Sequence, residues 1–335
     1  MKKILSFVLL AVLAFSLTAC GEKKPAEANY TFGMGVVSNA DSSKENHAQM
    51  DSTVAAVVLD AEGKIVALRL DAMQNKMDVT GGAVDVNGSW NTKMELGDAY
   101  GMVAYGAAIA EWDAQALAFE TWAVGKTIDE IKNMELTTND HGYSVAVDAD
   151  LYAGCTIDLT DFIDATVKAG TDAWAVAFTT ADAFTVGVAV ISASNESVAA
   201  TAEADAQVKM YSEYGAVVVG ADGKVLAALH DMIQPVINVS LDGAITGANV
   251  KPTKRELGAD YGMVAYGAAI AEWDAQAAAF TNYCVGKTAA EIKAIELKTN
   301  DHGYQVPADE TLYAACTMQI TGAMAVVAKA AEIAR

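Results

Sequence analysis

The chain has 335 residues, 53% of them apolar and 19% charged, which is enough to bury sizeable cores and excludes wholesale disorder. Its 22 Lys and Arg face 43 Asp and Glu, a formal net charge of −21, so a polyphosphate backbone is repelled over most of the surface and nucleic-acid binding is set aside. Beyond the first twenty residues no apolar run is long enough to cross a bilayer, which excludes a multi-pass membrane protein.

At the amino terminus, Met1-Lys2-Lys3 is positive, Ile4 to Leu17 is apolar, and Leu17-Thr18-Ala19-Cys20 supplies small residues before a cysteine: the layout of an export signal. Leu-Thr-Ala-Cys resembles the bacterial lipobox, which implies a signal peptide over 1–19 and a lipidated Cys20 as the first residue of the mature chain. Two acyl chains on Cys20 would hold the protein on the extracytoplasmic face of the cell membrane, where one chain would let it escape. The polar stretch Gly21 to Asn29 reads as a tether, with the folded body beginning near Tyr30.

The body is internally duplicated. Residues 93–169 align with 254–330 at a constant offset of 161, with 48 identities in 77 positions, and Tyr100 to Ala116 repeats as Tyr261 to Ala277 without a change. Val54 to Asp71 corresponds more loosely to Gly215 to Asp231, implying a one-residue insertion before the identical block. Two homologous domains are expected, over 30–170 and 171–335.

In chain order, Thr53 to Leu59 and Lys64 to Leu70 are β-branched apolar runs around Asp60-Ala61-Glu62-Gly63, a hairpin pattern repeated around Gly220-Ala221-Asp222-Gly223. Ile109, Trp112, Ala116, Phe119 and Ala123 then form one stripe of an amphipathic helix, which Gly125 closes. Thr127 and Glu130 have capping-box spacing and start a second helix, as do Thr288 and Glu291. A loop over 138–143 leads to an expected short strand around Tyr152 to Asp158 and a closing helix over Asp161 to Ala169. The fold class is α+β, each unit a hairpin or small antiparallel sheet packed on helices.

Asp150-Leu151-Tyr152-Ala153-Gly154-Cys155-Thr156-Ile157 and Thr311-Leu312-Tyr313-Ala314-Ala315-Cys316-Thr317-Met318, each placed before a closing helix, resemble the flavinylation segment of the extracytoplasmic FMN-binding domain family. In that family the last hydroxyl of the segment is esterified to the phosphate of FMN by a dedicated transferase. The resemblance implies FMN as cofactor, attachment through Thr156 and Thr317, contacts from Gly154, Cys155 and Cys316, and flavin transferase and redox proteins as partners. Ala153 and Cys155 depart from the family pattern, and Thr311 and Ala315 depart further in the second unit. The implied role is an extracytoplasmic electron carrier; the alternative is a cofactor-free lipoprotein that binds a ligand or a surface partner.

A flavin needs an aromatic face and phosphate donors. Backbone amides at a helix start around Gly101-Met102 and Gly262-Met263 are candidate phosphate donors, and Tyr105, Trp112, Tyr266 and Trp273 candidate ring faces. His141 and His302 occupy identical Asp-His-Gly-Tyr loops; a proton relay and a local loop role are both open, and one His per unit is too few for a structural zinc. No Gly-x-Ser-x-Gly or P-loop is present. Cys155, Cys284 and Cys316 are an odd set; buried free thiols are expected, with a Cys284–Cys316 bridge the other option.

Overall fold

The computed structural model describes residues 28–250 and 252–335; the export segment and Cys20 lie outside them. The first repeat runs β1 (Ala28–Asn39), β2 (His47–Leu59), β3 (Ile65–Asp78), α1 (Lys93–Leu96), α2 (Met102–Gly106), α3 (Trp112–Ala123), α4 (Ile128–Lys132), β4 (Leu136–Thr138), β5 (Ser144–Ala146), α5 (Ala149–Tyr152) and α6 (Thr160–Gly170). β6 (Val176–Thr180) follows. The second repeat runs β7 (Phe184–Ala193), β8 (Ala206–Val208), β9 (Tyr211–Gly220), β10 (Val225–Ile233), β11 (Val236–Val239), β12 (Ile245–Asn249), α7 (Lys254–Leu257), α8 (Met263–Gly267), α9 (Trp273–Cys284), α10 (Ala289–Lys293), β13 (Leu297–Thr299), β14 (Gln305–Pro307), α11 (Glu310–Tyr313) and α12 (Thr321–Glu332).

The class is α+β. One antiparallel sheet has the order β3-β2-β1-β6 and its counterpart β10-β9-β7; β12-β11-β8 forms a small third sheet. Strand alternation explains the layering. Along β2, Val54, Ala56 and Val58 face one core, while Ala55 and Val57 face another that includes Phe119 and Phe162 of α3 and α6. Along β9, Tyr214, Ala216 and Val218 join the core of Val54, Ala56 and Val58, and Val217 and Val219 pack with Phe280 of α9 and Val327 of α12. The two sheets therefore share one interior between them and carry helices on their outer faces. Although the repeats divide near residue 170, β6 crosses back to pair with β1, Tyr30 opposite Phe178.

Gly33 of β1 permits this packing. A Cβ there would strike the backbone carbonyl of Ala169 in α6, and Gly187 of β7 stands in the same relation to Ala330 in α12. The strand registers place Asp71 opposite Val54 and Asp231 opposite Tyr214, so the counterpart of Val54 is Tyr214, one residue earlier than the sequence alignment assigned.

Two sequence expectations are corrected. The long helix begins at Trp112, and Ile109 is exposed, because Ala107 adopts a left-handed backbone (φ 50°) that ends α2 and turns the chain out before Glu111. The strand expected around Tyr152 to Asp158 is the helical turn α5, whose amides at Asp150 and Leu151 donate to the Asp148 side chain, followed by irregular chain; the strand of this region is β5. The capping boxes at Thr127/Glu130 and Thr288/Glu291 form as expected.

Candidate functional site

A cleft of about 580 Å³ opens in the first repeat between α1, the α2–α3 turn, the 139–143 loop and the start of α6. Tyr100, Trp112, Tyr143, Tyr152 and Phe162 give it aromatic walls, and Ile109 and Ile157 line it as well. Trp112 is held edge-on against Phe162, with ring centroids 5.4 Å apart, so its ring belongs mainly to the core and contributes only part of its surface to the wall.

Thr156 stands in this wall. Its amide donates to Oε1 of Gln115 at 2.8 Å and its hydroxyl donates to the same oxygen at 3.4 Å. Gln115, fully buried on α3, is anchored in turn by donating to the Ala110 carbonyl. Among the described residues the Thr156 hydroxyl accepts no hydrogen bond, and it sits on a half-buried residue that the cleft reaches. Gln115 was absent from the sequence-derived candidates; its signal is the pairing with Gln276, which holds Thr317 in the same way.

The charged residues lining the cleft are Lys93, Asp158 and Asp161. Lys93 lies over two rings, its Nζ 5.0 Å from the centroid of Tyr100 and 5.5 Å from that of Trp112, a cation–π setting. Burial lowers its pKa against the opposing pull of Asp51, Asp161 and Asp71. Burial, reinforced by Asp158 and Asp164, raises Asp161, and Lys93 partly offsets this. Burial also works against Asp158, but its bonds from Thr160 and Ser144 prevail and hold it below the usual carboxylate range.

The corresponding space of the second repeat is lined differently. Glu213 replaces Thr53, His230 replaces Leu70, Gln319 replaces Asp158, Gly322 replaces Asp161 and Ala323 replaces Phe162. Glu213 accepts from His230 Nε2 at 2.8 Å, the His230 ring lies 5.1 Å from that of Trp273, and Glu213 packs so closely on Gly322 that a side chain there would collide with it. Lys254, the counterpart of Lys93, is buried, which pushes its pKa down to about 8.

Several sequence-derived candidates lie elsewhere. Tyr105 and Tyr266 are each 91% exposed; they stack on Gly101 and Gly262 and do not line the cleft, whereas Met102 and Tyr100 do. The amides proposed as phosphate donors are already engaged: Met102 and Val103 donate to the Glu111 carboxylate at 2.8 and 2.9 Å, and Met263 and Val264 to Glu272 at 2.8 and 3.1 Å. Cys155 and Cys316 are core residues, fully buried, and Gly154 packs on Ala118 between α5 and α3. All three described cysteines are free. His141 lines the cleft, but its loop is organised by Asn139, whose side chain accepts from the amides of His141 and Tyr143. No group of His, Cys, Asp and Glu suited to a metal occurs among the described residues.

For FMN, the aromatic walls and the Thr156 hydroxyl fit; the Gly101-Met102 amides do not, because Glu111 has taken the place an external phosphate would need. No family model matches the chain, and no solved structure matches it. A chlorophenol reductase from Desulfitobacterium hafniense is 29% identical over 191 residues, an alignment covering 43% of this chain and 58% of that protein. The match thus spans little more than half the length of that curated relative.

Proposed function

We propose that the chain is a lipoprotein, anchored through Cys20 on the extracytoplasmic face of the membrane, that carries electrons by means of an FMN held in the first-repeat cleft and esterified through Thr156, the Thr156 oxygen displacing a nucleoside monophosphate from a flavin dinucleotide in the transferase reaction and giving up its proton. The carrying observation is the position of the Thr156 hydroxyl, oriented by Gln115 in the wall of an aromatic cleft. FMN bound there would supply one- and two-electron transfer. Gln115 orients the attachment hydroxyl, and the tyrosines and Trp112 exclude water from the ring. Similarity to a protein described as a chlorophenol reductase agrees with a redox role. The second repeat, its cleft occupied by Glu213 and His230, serves as scaffold in this reading.

One observation favours the other reading, a lipoprotein that binds an organic ligand without a resident cofactor: Glu111 satisfies the amides that a phosphate would otherwise take. Co-production with a flavin transferase separates the two. A fluorescent band that survives denaturation, is lost in Thr156→Val and is retained in Thr317→Val is the expected result. A colourless protein that takes up no FMN leaves the cofactor-free reading.

A further inference from the structure

Lys93 and Asp161 both line the first-repeat cleft, and their charges influence each other, yet they do not form an ion pair. Among the described residues the Lys93 ammonium takes part in no salt bridge or hydrogen bond; it lies over the faces of Tyr100 and Trp112 and feels Asp51, Asp161 and Asp71 without direct contact. The Asp161 carboxylate likewise accepts no hydrogen bond among the described residues, whereas its neighbour Asp158 is bonded to Thr160 and Ser144 and Asp71 to Ala72 and Met94. A half-buried donor and an exposed acceptor therefore face one aromatic-walled cleft without pairing with each other. An occupant that covers them has to supply a partner to each, because desolvating an unpaired charge is costly.

We propose that Lys93 and Asp161 recognise a cyclic imide or lactam edge on a flat heteroaromatic ligand, Lys93 donating to a ring carbonyl and Asp161 accepting from the adjacent ring N–H. The inference deepens the reading of this cleft as a flavin site, since an isoalloxazine carries such an edge, but it depends on ring recognition and not on attachment through Thr156. The second repeat provides an internal contrast. Gly322 stands where Asp161 would be, so the acceptor is missing, and Glu213 fills the gap in front of Lys254.

The test uses the full chain and phosphate-free lumiflavin, followed by quenching of flavin fluorescence, with 3-methyllumiflavin, whose imide N–H is blocked, as the matched probe. Lumiflavin is expected to bind at least about tenfold more tightly than the methylated compound, the range of one charge-assisted hydrogen bond. Lys93→Met and Asp161→Ala should each weaken lumiflavin by a similar factor, and Asp161→Asn should restore most of the affinity because its amide oxygen still accepts. Circular dichroism of each variant controls for folding. Equal affinity for the two probes, full binding by either variant, or no binding by the parent overturns the proposal. Flavinylation of the parent chain separates the two readings: a parent chain that takes no covalent FMN from the transferase, yet binds lumiflavin in preference to its 3-methyl form, counts against the attachment and not against the recognition pair.

Discussion

Lys168 of α6 reaches across the repeats to Glu256 of α7 at 2.6 Å, and the counterpart of each, Lys329 and Glu95, makes the reciprocal bridge at 2.7 Å. Each lysine also donates to a backbone carbonyl of the first strand of its own repeat, Val36 and Val190. Reciprocity of this kind defines an isologous contact, the geometry of a two-fold dimer reproduced within one chain.

The symmetry breaks where Arg255 meets Asp172. This pair is two-pronged, at 2.9 and 3.1 Å, and both side chains are 5% exposed, while the equivalent positions are the apolar Met94 and Ile333. Removing one member strands a buried charge, so Arg255→Met or Asp172→Ile alone should cost about 3–5 kcal/mol in denaturant melts. The double variant, copying the other junction, should recover most of that loss. The half-exposed Lys293–Glu332 pair should contribute less than about 1 kcal/mol by the same measurement.

Gly33→Ala and Gly187→Ala should each destabilise the fold by about 1–3 kcal/mol, because the new methyl meets a helix backbone that cannot move aside independently of the sheet. Gly63→Ala tests a different cause, since its site is open and only the left-handed φ of 76° opposes the change. Melting temperatures of the three variants distinguish collision from backbone strain.

Burial raises the Asp71 pKa to about 7, against the bonds it accepts from Thr92, Ala72 and Met94. Folded Asp71 therefore holds its proton over a range where the unfolded chain, titrating near pH 4, has released it. The folded state binds more protons across that window, so its contribution to stability is full below about pH 4 and falls as pH rises to about 7, by up to roughly 4 kcal/mol. Asp71→Asn should flatten the pH dependence of the melting temperature between pH 4 and 7; an unchanged slope would assign it to Glu120 and Asp231, whose pKa values burial also raises.

Burial pushes the thiols of Cys155 and Cys284 up to about 12 and that of Cys316 to about 11. At pH 8 they should react negligibly with a disulfide reagent in the native protein, and all three should titrate rapidly once guanidinium unfolds it.

The hairpin, the capping boxes and the closing helix were readable because each has local chemistry: a Gly turn, a Thr three residues before a Glu, an amphipathic period. β1 and β7 went unread as strands because Gly33 and Gly187 interrupt their side-chain pattern, and the reason for those glycines is a helix more than a hundred residues away. Thr156, Met102 and Trp112, singled out in the sequence, do line one cleft, although the Met102 amide expected to donate to a phosphate is engaged by Glu111. Lys93, Asp161 and Gln115 carry no motif; Lys93 and Asp161 come to line one cleft, and Gln115 comes to hold Thr156 in its wall, only when α1, α3 and α6 are in place. Tyr105 misled because adjacency to a glycine-flanked helix start suggested a ring wall, when its ring in fact covers the Gly101 backbone from outside.

The mirrored lysine bridges also bear on how the two halves came to differ. In a symmetric assembly of identical subunits every substitution is suffered twice, so a plug such as Glu213 with His230 would have closed both cavities at once. Within one chain the halves vary separately, and Glu213 with His230 stands in the second repeat where the first keeps Thr53 and Leu70.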